Sequence, residues 1–206
     1  MEDVFVKSRE WVRLFLSTLL VGAVSTALVG FTIKWDEHKE LFYSFDVIEI
    51  LSVLFWLIGV GFIFSIISQM GFFAYLTVHR FGLAMFKRLW SPVQLLLIAF
   101  VFFDLVYFRY VVFGKELGDS ILSYIFVALF ILLFALLIAF IKKNQTNKHA
   151  FIPAVFYMYV VTVIEWVPAL RVNEESWLYL MLIPLLICNA YQLLILHKLN
   201  SSTKIK

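Results

Sequence analysis

Six stretches of the chain, at 14–33, 50–68, 92–112, 120–141, 150–170 and 177–197, run for about twenty residues each with at most two charges in any of them. At 1.5 Å per residue, a helix of that length matches the roughly 30 Å hydrocarbon thickness of a bilayer. Backbone amides in hydrocarbon must bond to one another, so a spanning segment is either a helix or part of a closed barrel. These runs are continuously apolar and lack the alternation of barrel strands, which leaves helix. Composition agrees. Hydrophobic residues make up 63% of the chain and charged ones 15%, where soluble domains sit near about 45–50% and 25%. The expected fold is all-α: one transmembrane domain over residues 1–206, a polytopic integral membrane protein of six transmembrane helices surrounded by lipid.

The positions of Lys and Arg orient those helices, because cytoplasmic segments carry the excess of both. With the N-terminus inside, the inner segments hold Lys7, Arg9, Arg13, Arg80, Lys87, Arg88, Lys142, Lys143, Lys148, Lys198, Lys204 and Lys206. The outer side keeps Lys34, Lys39, Arg109, Lys115 and Arg171. Twelve cations against five put both termini in the cytoplasm of a multi-pass cell-membrane protein. Trp11 and Trp90 fall at inner boundaries, and Trp35, Trp166 and Trp177 at outer ones, as amphipathic rings prefer. The first apolar run continues past "STA" at 25–27 to Ile33 without a breaker, which suits a retained anchor better than a cleaved signal.

Little chain is left over for soluble chemistry. No inner segment approaches the roughly 50 residues at which domains begin. The longest, 69–91, either prolongs the second span as a helix or lies along the inner surface. The single cysteine, Cys188, excludes an internal disulfide and a Cys-based zinc cluster. His79, His149 and His197 each adjoin a cation (Arg80, Lys148, Lys198), which opposes metal binding there. Phosphate-cradling glycine loops, HExxH, nucleophile elbows and kinase signatures are all missing. The expectation is a protein without catalytic residues, cofactor, metal or nucleic-acid partner.

What polarity remains is concentrated. Asp104 and Arg109 share the third span, and Glu165 lies in the fifth, six residues before Arg171. An ionised Asp at the centre of a span costs about 2.5–3.5 kcal/mol on insertion scales, so these residues need partners. Five residues of α-helix set Asp104 and Arg109 roughly 140° apart. Tyr107, three residues on, shares the acid's face and can donate a hydrogen bond. Arg109 snorkels outward or reaches across to Glu165. Asp104, Tyr107, Arg109 and Glu165 thus form a candidate intramembrane cluster, read first as a structural tie, then as a partner contact, then as an ion or proton site. Asn189, Gln192, Gln69 and Gln94 fall towards the inner side. In the first span Gly22, Thr26 and Gly30 recur every four residues, a small-residue stripe that admits a second helix closely. That helix belongs either to this chain or to another membrane protein.

The stretches "KSREWVRLFLSTLLVG" (7–22), "IEILSVLFWLIGVGFIFSIISQMGFFAYLTVHRFGL" (48–83) and "FDLVYFRY" (103–110) resemble the KinB-signalling pathway activation (KbaA) family of spore-forming Bacillus-type bacteria. The resemblance is strongest over the first 110 residues; beyond them the hydropathy pattern alone matches. It implies an integral inner-membrane protein that promotes sporulation through the membrane sensor histidine kinase KinB and its phosphorelay, with no enzymatic activity. A chain with so little soluble mass acts on a kinase through its spans or short loops, and the stripe and segment 69–91 are the candidate surfaces. The alternative is a small-solute or proton transporter built on the intramembrane acids.

Overall fold

The structure, a computed structural model, describes residues 8–115, 118 and 120–202. Lys7, Lys204 and Lys206, counted above among the inner cations, lie outside the described residues. Every element within them is helical: α1 (Ser8–Ile33), α2 (Trp35–Tyr43), α3 (Val47–Phe86), α4 (Trp90–Phe103), α5 (Ile121–Gln145), α6 (Phe151–Phe156), α7 (Thr162–Val172) and α8 (Glu175–Ser202). Single 3-10 turns occupy Lys87–Leu89 and Lys148–Ala150, and wide π-helical turns occupy Asp104–Phe108, Tyr110–Gly114 and Tyr157–Val161.

Five continuous helical stretches have the length and apolarity to cross a membrane: Arg9–Ile33, Val47–Gly114, Ile121–Gln145, Lys148–Val172 and Glu175–Leu196. The expected second and third spans both fall in Val47–Gly114, where the 3-10 turn divides them. Segment 69–91 is helix extension as far as Phe86, so α3 runs 40 residues, about 60 Å at 1.5 Å per residue.

The chain folds as two compact units, one reaching Phe73 and resuming at Ile164, the other Ala74–Val163. In the first, α1 packs on α8 and runs antiparallel to the first part of α3. At their crossing a Cβ on Gly61 would lie 2.7 Å from the Ala23 Cα and from the Gly22 carbonyl oxygen, so glycine is what lets the backbones touch. One turn away the Ser65 hydroxyl lies 3.1 Å from the Thr18 carbonyl and 2.9 Å from that of Gly61. α7 is tied to α8 by the Trp166 indole N–H, which donates to the Leu178 carbonyl at 2.8 Å. In the short connection between α1 and α3, α2 is braced by Lys34–Glu37 and Asp36–Lys39 pairs at i,i+3.

In the second unit the chain turns back on itself after α3. Lys87 takes a left-handed φ of 48°. Trp90 then folds onto Gly82, where a Cβ would meet its ring, and its indole N–H donates to His79 Nδ1 at 3.0 Å. Tyr75 anchors the other side, donating to the Pro153 carbonyl at 3.1 Å. α5 buries a stripe, Tyr124, Ala128, Ile131, Ala135, Ile138 and Lys142, at the 3.5-residue spacing of a coiled-coil seam, with Ala139 buried beside it. The small alanines let neighbours close in on that seam while Phe126, Phe130, Leu133 and Leu137 stay exposed. From Ala154 to Val163 the chain is buried on every side.

Polarity is distributed inside out. Thr18, Ser65, Ser68, Gln94, Glu165, Asn189 and Gln192 are buried, while Leu16, Leu20, Val24 and Leu28 form an exposed stripe along α1.

Candidate functional site

Spacing brings the site together. On α3, Ser68 and Gly71 are three residues apart and share a face; on α8, Asn189 and Gln192 do the same. Between them stands Glu165 of α7, 6% exposed. The Asn189 side-chain N–H donates to Glu165 Oε2 at 2.6 Å, and the Ser68 hydroxyl donates to Asn189 Oδ1 at 2.7 Å. Gln192 Nε2 donates in turn to Ser68 Oγ and to the Cys188 carbonyl. A backbone carbonyl only accepts, so the amide of Gln192 is oriented with its nitrogen inward. Every hydrogen in the chain Gln192–Ser68–Asn189–Glu165 therefore points towards the carboxylate.

The other carboxylate oxygen lies against backbone. A Cβ on Gly71 would overlap Glu165 Oε1, so glycine at 71 makes the room that the acid fills. Glu165 Oε1, Gln192 Oε1 and Gln69 Nε2 are buried without a hydrogen-bond partner. The sequence hinted at the individual residues but not at their meeting. Counting inward from the helix ends sets Asn189 and Glu165 at different depths. A 28-residue helix such as α8 spans about 42 Å at 1.5 Å per residue, more than the hydrocarbon thickness, so depth cannot be counted from its end.

The remaining candidates sit in the Ala74–Val163 unit. Asp104 is exposed and opens the first π-helical turn. Tyr107 is exposed with its ring stacked on Phe103 at 5.1 Å, and the Arg109 guanidinium lies over the Tyr124 ring at 5.2 Å. The wide turns alter the geometry assumed above, since an i→i+5 hydrogen-bond pattern sets residue 109 nearer the face of residue 104 than α-helix does.

The stripe on α1 is filled from within the chain. A Cβ on Gly22 would strike Ser65 Oγ, one on Gly30 would lie 2.4 Å from a Leu57 methyl, and Thr26 is fully buried. Of the two helices the stripe could admit, the one lying against it here is α3 of the same chain. Among the described residues, no group of three or more His, Cys, Asp or Glu side chains is placed to hold a metal.

These features define an all-helical protein with several helices of membrane-spanning length and apolarity and a set of polar side chains buried among them. The chain belongs to the KbaA family, described as KinB-signalling pathway activation in sporulation, whose model matches residues 22–199. The match extends well past residue 110, where the quoted stretches end. A relative from Bacillus subtilis (strain 168), the KinB-signaling pathway activation protein, is 53% identical over 195 residues, covering 94% of this chain and 98% of its own length. No solved structure matches the chain.

Proposed function

We propose that this chain is a six-span integral membrane protein with both ends in the cytoplasm. It promotes signalling through a membrane sensor kinase, KinB, by helix contact and without catalysing a reaction. Family membership supports the pathway. The inside-out distribution of polarity supports lipid as the solvent, because exposed leucines and buried glutamine, asparagine and glutamate invert the arrangement that water selects. With the α1 stripe occupied, the contact surface moves to the corner between α3 and α4.

The observation that carries the contact is the exposure of that corner. Phe81, Met85 and Leu89 are all more than 60% exposed, and Arg80, Lys87 and Arg88 stand exposed beside them. Apolar side chains grouped with cations are what a partner segment of mixed apolar and acidic character recognises. Activation then requires that this corner bind one state of the kinase better than the other. A photoreactive residue at 81, 85 or 89, activated in membranes of cells that make both proteins, should crosslink KinB, whereas the same residue at Leu20 should not. Equal capture of the kinase from both places, or capture from neither, would remove the corner as the contact.

The transporter reading gains nothing from the buried chain at Glu165. Two of its links are side-chain amides, which hold hydrogen bonds but do not pass protons along as hydroxyls and water do.

A further inference from the structure

Glu165 brings a formal negative charge into the first unit, and its hydrogen bond there comes from a neutral amide, Asn189. The ion pairs of that unit, Arg9–Glu10, Lys34–Glu37 and Lys39–Asp36, leave it aside. Its neighbours are of little help. Ser68, Gln69 and Gly71 on α3 are uncharged, and the titratable group facing it from α8 is Cys188. On its own helix Arg171 is exposed, and the charges of α1, which packs on α8, are Arg9, Glu10 and Arg13 at its start. A buried carboxylate without a cation carries a desolvation penalty of several kcal/mol, on the order estimated for buried ions in proteins. Among the described residues no cation pairs with it.

The space around the carboxylate decides which cation fits. A hard metal ion takes about six oxygen ligands, and the described site has two unspent oxygens, Glu165 Oε1 and Gln192 Oε1. On the side of Gly71 there is no spare volume, since the position of a Cβ there is already filled by Oε1. A proton needs no volume. We propose that Glu165 is a proton-binding site, occupied in the folded protein, with Asn189 holding Oε2 and Gly71 shaping the pocket for Oε1. The event is a simple exchange: a proton from water forms an O–H bond on the carboxylate and returns to water on release, with no other bond changed. Because the link from Glu165 onward is the amide of Asn189, the site stores a proton and does not pass it along that chain. Its occupancy is felt by α3 through Gly71 and by α8 through Asn189. The inference stands apart from the proposed kinase contact, which involves other residues.

Infrared difference spectroscopy on the purified protein in detergent tests it, with carbon-13-labelled glutamate to isolate the signal. The wild type should give a carboxylic-acid C=O band that Glu165→Gln abolishes. Asn189→Leu should move that band to higher wavenumber, because it removes the hydrogen bond to Oε2. If Glu165→Gln fails to fold, the labelled wild type and Asn189→Leu still decide the matter. A wild-type spectrum with carboxylate bands alone overturns the proposal. So does a thermal midpoint that rises with sodium or potassium at constant ionic strength in the wild type, which would assign the site to a metal ion.

Discussion

At the scale of single residues, the tightest constraint is the absence of a side chain. Gly61 meets Ala23 and the Gly22 carbonyl at distances no Cβ tolerates, and the Ser65 hydroxyl bonds across the same crossing only because the two backbones are this near. Overpacking a fitted contact costs about 1–3 kcal/mol. Gly61→Leu should therefore lower the thermal midpoint of the detergent-solubilised protein, whereas Gly59→Leu, at a position with no atom within 4 Å of the added Cβ, should leave it nearly unchanged. The "GVG" pair looks alike in sequence; only the crossing tells its two glycines apart. The same limit hid the site. Glu165 and Asn189 each stand out as polar residues in apolar runs, but their 2.6 Å contact depends on how α7 and α8 are offset, which no local pattern encodes.

At the scale of elements, lengths were legible and corners were not. Apolar runs of about twenty residues announce helices because hydrocarbon sets that length. The turn at Lys87–Leu89 itself carries neither Gly nor Pro; Ser91-Pro92 marks the start of the next helix but not the turn's geometry, which is held from outside by Trp90 on Gly82 and His79. The π-helical turns at 104–114 and 157–161 are equally silent in sequence, since they differ from α-helix by one residue per hydrogen-bonded ring. If the indole of Trp90 fixes the corner, Trp90→Phe keeps an aromatic ring but loses the N–H hydrogen bond to His79, worth about 1 kcal/mol, along with part of the indole's contact with Gly82. The expected result is a modest fall in thermal midpoint with faster limited proteolysis confined to residues 80–90. Cleavage spread evenly along the chain would show that the bond does not hold this corner.

At the scale of the whole molecule, the exposed face of α1 is where the proposed lipid surroundings can be tested. Leu20 is 64% exposed. In water a charged residue at such a place is harmless, while at the centre of a bilayer an Asp costs about 2.5–3.5 kcal/mol on insertion scales. Leu20→Asp should reduce membrane-inserted protein in fractionated cells, and Leu20→Phe should not; equal yields would contradict lipid as the surroundings of α1. The order of assembly follows from who packs on whom. α8, which packs on α1, is made well after it, and the same helix supplies Asn189, the donor to Glu165. α1 and the first part of α3 are therefore made long before the helix that completes their unit, and Glu165 only shortly before it. The first unit closes only once α8 has been made, so a chain interrupted before Glu175 leaves Glu165 without Asn189 and α1 without the helix it packs on.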